Sequence, residues 1–330
     1  MTAVYLTIDT EYAAHLPGAG GGPGTRAENF ARSIACSTPA GAVGIFHQMD
    51  VLDANGLKGV FFVDPMPALV WGVEAIEDVV APIVARGHDV QLHCHTEWLA
   101  HAPDNDLAGG RLGRHLKDFA LADQLVILAF ARDTLVAAGA PSPVAFRAGN
   151  YGANDDTLRA LSVLGLTFES SHCPALSGDG SCGISLGRED RLPLAHHGMI
   201  EVPVTCIETF GKRLRHGQLT ALSHRELIDA LRYARDAGQD SITLVSHSFE
   251  LLSRDRLRIN RVVERRFRRF CESLAQLPGT TTATYAEQPP TVARGTEVGT
   301  VLPHDTLRGG ARMLEQAFAN ALYSRNVRFS

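Results

Sequence analysis

Val4-Tyr5-Leu6-Thr7-Ile8-Asp9-Thr10-Glu11 is an apolar, β-branched run that ends in two carboxylates. Val4–Ile8 reads as a buried strand, and extended backbone turns residues i and i+2 to one face, so Asp9 and Glu11 point the same way. The same grammar recurs along the chain. Gly59–Val63 is a second apolar run, and Asp89–His93 a third that ends in His93-Cys94-His95. Pro143–Arg147 ends in an arginine, and Ile242-Thr243-Leu244-Val245-Ser246 runs into His247. Leu166–Glu169 and Ile200–Val204 read as shorter strands, with Thr280–Tyr285 closing the series.

Longer stretches with helical spacing separate these runs: Val43–Ala54, Val73–Ala85, Leu121–Ala138, Asp155–Leu164, His224–Ala237 and Arg254–Leu277. Strands alternating with helices argue for βα units and a parallel sheet. Seven or eight units suit a closed α/β barrel better than an open sheet. In such a barrel the C-terminal strand ends line one rim, where substrates bind. Four strand ends carrying Asp9/Glu11, His93/His95, Arg147 and His247 therefore place the chemistry there.

Bulk properties narrow the field. The chain has 330 residues, 45% hydrophobic and 20% charged, with a net charge of −5. That length suits one large barrel with extensions, and the charge gives no support for nucleic-acid binding, which rests on Lys and Arg. No apolar run reaches the ~18–20 residues of a membrane span, so membrane insertion is not expected. The start lacks the pattern of a secretory signal. The six cysteines (Cys36, Cys94, Cys173, Cys182, Cys206 and Cys271) form no C-x-x-C pair. Reduced thiols and a cytoplasmic location are the expectation. Two domains are expected: a barrel over 1–287, then a linker and C-terminal helix over 288–330. In that helix the pairs Met313/Leu314, Ala317/Phe318 and Ala321/Leu322 recur at helical spacing, which predicts core packing or a subunit contact in a homo-oligomer. Gly18–Gly24 reads as a loop over the site, not a phosphate loop, because no Gly-Lys-Ser/Thr follows. Ser177–Gly198 also reads as a loop. The eight arginines from Arg254 to Arg269 interleave with Val263, Phe267, Phe270 and Leu274, the pattern of a solvated amphipathic helix.

Two imidazoles on one strand end, with carboxylates nearby, favour a metal site over a pair of core histidines. Glu97, four residues after His93, is a further candidate from the same loop. Arg147 suits a two-pronged hydrogen bond to a carboxylate, and His247 suits general-acid work. The remaining histidines, including His172, His196 and His197, read as surface or structural.

In order, these segments resemble the motifs of the polysaccharide deacetylase superfamily, the NodB-like carbohydrate esterases. Leu6-Thr7-Ile8-Asp9-Thr10-Glu11 is similar to its first motif in the Asp-x-Glu form, and Gly87–His95 to its histidine motif. Phe146-Arg147-Ala148-Gly149-Asn150-Tyr151-Gly152 resembles the third, Glu201-Val202-Pro203-Val204-Thr205 the fourth and Leu244-Val245-Ser246-His247-Ser248 the fifth. The resemblance covers roughly residues 3–285. It implies a distorted (β/α)7 barrel and a divalent metal, usually zinc. It also implies metal-assisted hydrolysis of an N- or O-acetyl group on a sugar or glycan precursor. On that resemblance Asp9 is the base, Arg147 orients it, and His247 is the acid. Glu11, His93 and His95 hold the metal, with Asn150 and Tyr151 beside the substrate. Three departures stand out: Thr10 separates the two acids, Glu97 occupies the place of the second histidine, and the third motif lacks its usual Pro-Pro. His95 is favoured as the substitute ligand, with Glu97 left open. Hydrolysis of another C–N bond and a non-catalytic carbohydrate-binding barrel are the alternatives.

Overall fold

Seven parallel strands form the frame of the protein in the computed structural model, which describes residues 1–102, 106–293 and 299–323. They are β1 (Thr2–Thr10), β2 (Val60–Val63), β3 (Asp89–Cys94), β4 (Ala145–Ala148), β5 (Phe168–Glu169), β6 (Met199–Glu201) and β7 (Ser241–His247). Their order is β7-β1-β2-β3-β4-β5-β6, with Leu194–His196 added antiparallel to β6 and Thr280–Thr282 parallel to the start of β1. The sheet curls into an incomplete barrel. Its edges are joined by the Thr205 N to Thr243 O bond, 3.0 Å, and by an isolated parallel bridge in which Val245 N donates to Gly217 O at 2.9 Å and Leu219 N to Val245 O at 3.0 Å.

Strand alternation sorts the core into two layers. Ala3, Tyr5, Phe62, Ala145, Phe168 and Tyr285 fill the inside of the curl. Val4, Leu6, Ile8, Phe61, Val63, Leu92 and Phe146 face outward under the helices. These helices are α1 (Ile45–Ala54), α2 (Glu74–Ala85), α3 (Leu121–Ala137), α4 (Asp155–Val163), α5 (His224–Asp236) and α6 (Arg261–Ala275). Local chemistry sets their starts. Asn154 and Thr157 form a capping box on α4, and Ser223 and Glu226 form one on α5.

Three sequence expectations change. The helix expected from Arg254 begins only at Arg261. Ser253 Oγ accepts from Arg258 N at 3.0 Å and Asp255 Oδ1 accepts from Leu257 N at 3.0 Å, so side chains compete with helical hydrogen bonds until Asn260 caps α6. Val263, Phe267, Phe270 and Leu274 are buried as expected, but the arginines are not all solvated. Arg266 is buried against Glu315 at 2.8 Å, and the Arg256 guanidinium lies 3.8 Å over the Phe249 ring. Within the expected loop Ser177–Gly198, Leu194–His196 forms a hairpin strand with β6.

The last helix, α7 (Thr306–Tyr323), is turned over relative to the core-packing expectation. Arg308 and Arg312 point inward, to Asp229 at 3.4 Å and Glu226 at 3.1 Å. That rotation leaves Leu314 75% and Phe318 61% exposed. Among the described residues, no helix is long and apolar enough to cross a membrane. All six cysteines are free thiols.

Alternation also decides the fate of Glu201. Phe168 and Ile200 face inward, so their neighbours Glu169 and Glu201, paired in register across β5 and β6, face outward. Burial, then the Glu169 carboxylate, pushes Glu201 well above the usual carboxylate range. Below about pH 4.5 the proton is held in folded and unfolded chains alike. Above that the unfolded chain releases it first, so the folded state loses stability as pH rises. Glu201→Gln is expected to fall less in Tm than the wild type between pH 5 and 8. Parallel melting curves for the two proteins across that range would refute this account.

Candidate active site

The strand phase that sends Tyr5 inward also sends Thr7 and Asp9 inward. Asp9 pairs in register with His247 on β7, and His93 with Arg147 on β4. Both pairs lie at C-terminal strand ends, so the expected rim residues share one inner face.

Arg147 is fully buried and lies 4.5 Å over the Phe62 ring. One guanidinium nitrogen donates to Asp9 Oδ1 at 2.7 Å and to Thr7 Oγ1 at 2.8 Å. The others donate to Ser170 O at 3.0 Å and Ser170 Oγ at 3.1 Å. The expected two-pronged grip on a carboxylate is therefore a single prong, because the rest of the fork is spent on Ser170. It leaves Asp9 Oδ2 free, 3.9 Å from His247 Nε2.

Glu11, His93 and His95 each offer a ligand atom within 4.8 Å of the other two. His93 Nε2 is 3.3 Å from Glu11 Oε2, and His95 Nε2 contacts the same oxygen. His93 Nδ1 donates to the Arg147 carbonyl at 2.7 Å, so Nε2 is the nitrogen left to face Glu11. His95 Nδ1 lies 3.0 Å from Glu97 Oε2, and Asn150 Nδ2 donates to Glu97 Oε1 at 2.9 Å. Glu97 thus sits behind His95, where it fixes the ring as outer carboxylates do for ligating histidines. Burial opposes charge here, yet the two imidazoles hold the Glu11 carboxyl well below its usual range. An anionic carboxylate beside two imidazoles is donor chemistry that suits zinc. Gly149 is required at this point, since a Cβ would stand 2.7 Å from the His95 ring. Asn150 and Tyr151 follow with φ of 55° and 56°, a strained pair of the sort found at functional sites. Asn150 is exposed, whereas Tyr151 packs on Cys173, Val204 and Val245.

Behind His247 stands Glu250. Its Oε2 accepts from His247 N at 2.9 Å and lies 3.3 Å from His247 Nδ1. Gln218 donates to Glu250 Oε1 at 2.7 Å, and Thr220 also bonds that oxygen. Burial alone would lower the histidine's pKa, but Glu250, with Asp9 and Glu11, pushes it up to about 9. Asp64 is the other residue missing from the sequence reading. It follows β2 directly, its Oδ1 accepts from His95 N at 3.3 Å, and its buried Oδ2 has no hydrogen-bond partner. Burial pushes its carboxyl up to about 6. Asp64 follows Val60–Val63 by the strand-end pattern that marks Asp9, so a signal was present. Glu250 had only its spacing of three from His247.

A cleft of about 540 Å³ lined by His15, Thr96, Glu97, Leu112, Gly113 and Arg114 opens beside Glu97. Two larger clefts, about 640 and 650 Å³, include none of the rim residues. The glycine-rich segment 18–24 is exposed and folds back through Leu16 N to Gly22 O at 2.9 Å and His15 Nδ1 to Gly21 O at 2.8 Å.

No family model and no curated protein matches this sequence. Solved structures do match its fold. A putative polysaccharide deacetylase from Mycobacterium smegmatis superposes with a TM-score of 0.54 at 17% identity, over 90% of this chain and 95% of that one. The chain has the polysaccharide-deacetylase fold. A GH57-type branching enzyme from Pyrococcus horikoshii is similar at a TM-score of 0.51 and 10% identity, over 92% of this chain but 72% of its own. The deacetylase fold therefore accounts for both chains nearly end to end, and the choice of chemistry falls to the side chains on its rim.

Proposed function

We propose that this chain is a metal-dependent hydrolase that removes an acetyl group from an acetylated sugar or glycan precursor. One juxtaposition carries the reading: Asp9, held by Arg147 at 2.7 Å, faces His247 at 3.9 Å beside the Glu11–His93–His95 donor set. Glu11, His93 and His95 would hold the cation. A divalent ion there would supply Lewis-acid polarisation of the acetyl carbonyl and a more acidic attacking water. Asp9 takes the water's proton on Oδ2, because Arg147 occupies Oδ1. His247 carries its proton at neutral pH and gives it from Nε2 to the leaving amine or alcohol, while Glu250 holds Nδ1. Asn150, exposed and bonded to Glu97 at the edge of the neighbouring cleft's lining, would orient the sugar. A carboxylate facing an imidazole also differs from the two flanking carboxylates of glycosyl transfer. A binding barrel without turnover would have no use for a proton held on His247. The free thiols support a reducing, cytoplasmic setting.

An acetate-release screen over acetylated monosaccharides, nucleotide sugars and oligosaccharides, with elemental analysis of untagged protein, tests this. Release from at least one class is expected, lost with a chelator and restored by zinc. Full activity in metal-free, chelator-treated protein would overturn the proposal.

A further inference from the structure

Asp155, His196 and His197 stand apart from the inner rim and take no part in the chemistry above. Asp155 opens α4, His196 ends the hairpin strand, and His197-Gly198 is the two-residue turn into β6. Both imidazole Nε2 atoms converge on one carboxylate. His196 Nε2 lies 3.5 Å from Asp155 Oδ1, and His197 Nε2 lies 3.2 Å from Oδ2. One ligand atom from each residue falls within 4.8 Å of the others. Zinc bonds near 2.0–2.1 Å in a tetrahedron set neighbouring ligand atoms about 3.3 Å apart, so little closure is needed. Ser185 brings a third segment to the same place: its N donates to Asp155 Oδ1 at 2.8 Å, and its Oγ lies 3.2 Å from His196 Nε2.

The turn carries a second observation. A two-residue hairpin turn with positive φ at both positions favours Asn-Gly or Gly-Gly. Here the first position is His197 at φ 46°, with Gly198 at φ 83°. Histidine is among the few non-glycine residues that adopt this region readily, so the turn presents the His197 ring toward Asp155 without needing a second glycine. The two rings also lie close together, with centroids 4.3 Å apart and planes tilted by 55°. Arg159 does not block them. Its guanidinium is held by Asp156 at 2.6 Å and only reaches His197 Nδ1 at 3.4 Å, on the side of the ring away from Asp155.

We propose that Asp155, His196 and His197 form a second divalent-metal site, of the zinc class, that ties the start of α4 and the Ser185 loop to the β6 hairpin. Its role is structural: every ligand lies off the rim, and the site would add a tie to the β6 hairpin beside the Gly183 N to Ala153 O bond, 2.7 Å, that already joins the Ser185 loop to the start of α4.

The test uses the full chain, stripped of metal and titrated with Zn²⁺ alone by calorimetry, with bound zinc counted after dialysis. His197→Asn is the informative variant, because asparagine suits the positive φ and keeps the turn. Wild-type protein is expected to bind one zinc equivalent more than His197→Asn, and one more than His196→Ala. Co²⁺ bound to Glu11→Gln protein should show the absorption of a tetrahedral site, lost when His197→Asn is added. Equal zinc stoichiometry in wild type and His197→Asn would overturn the proposal. Failure of the rim donors to bind metal would lower both counts and leave the one-equivalent difference intact, so the two sites are judged separately.

Discussion

Asp9→Asn is expected to keep its zinc and lose about 10²–10⁴-fold in turnover, whereas Glu11→Gln loses zinc first and activity in consequence. The two carboxylates leave one strand end on one face, yet their surroundings differ. Asp9 Oδ1 is tied to Arg147 at 2.7 Å, and its Oδ2 faces His247 rather than the imidazole pair. Glu11 Oε2 is the oxygen that meets both His93 and His95. Asparagine fills the space of Asp9 and still accepts from Arg147 but takes up no useful proton. Glutamine at position 11 swaps an anionic ligand for a neutral amide, a poor partner for a divalent cation. Excess zinc should therefore restore part of the activity of Glu11→Gln and none to Asp9→Asn. Metal titration beside acetate-release kinetics reads both. An empty rim site in Asp9→Asn, with a full one in Glu11→Gln, would reverse the assignment. Arg147 is a poorer probe of the same idea. Its buried charge also binds Thr7 and Ser170, and breaking such a buried pair costs about 3–5 kcal/mol in stability.

His247→Ala should fold, bind zinc normally and lose about 10²–10⁴-fold in turnover. Its partner offers a sharper readout. As a general acid His247 works only when protonated, so kcat/KM falls as pH rises through its pKa, which Glu250 and its neighbours push up to about 9. Glu250→Gln keeps the hydrogen-bonding shape and removes the anion. The basic limb should move down toward the ordinary histidine value of about 6.5. Stability follows the same sign: the contribution of a raised histidine pKa is complete below about 6.5 and lost as pH rises through about 9. Glu250→Gln should flatten that dependence in thermal melts. An unmoved basic limb would return Glu250 to a purely structural role, and a loss below about threefold in His247→Ala would remove the histidine from the mechanism.

The barrel and its rim were legible in the chain because both depend on local periodicity. A short, β-branched apolar run with no polar face suits a strand buried on both sides, and a polar residue at its end leaves at the rim. Asp9, His93, Arg147 and His247 follow from that rule alone. Helix starts at Asn154 and Ser223 follow from capping chemistry within four residues. Whatever depended on partners distant in sequence was not legible. Strand phase favours His95 over Glu97 as a ligand, but only the curl of the sheet sets His95 against Glu11 with Glu97 behind it. Asp64 carries the strand-end signal, but its contact with His95 N depends on β2 running beside β3. The apolar pairs of α7 suit core packing or a subunit contact alike, and only the tertiary structure, in which Glu226 and Asp229 draw Arg308 and Arg312 inward, turns those pairs away from the core. His196 and His197 read as surface residues for the same reason: Asp155 lies some forty positions earlier, and only the hairpin folding over α4 brings its carboxylate between the two rings. Periodicity acts through the nearest turns of backbone, whereas charge pairing and ligand sets act through space, across elements whose order in the chain says nothing of their distance.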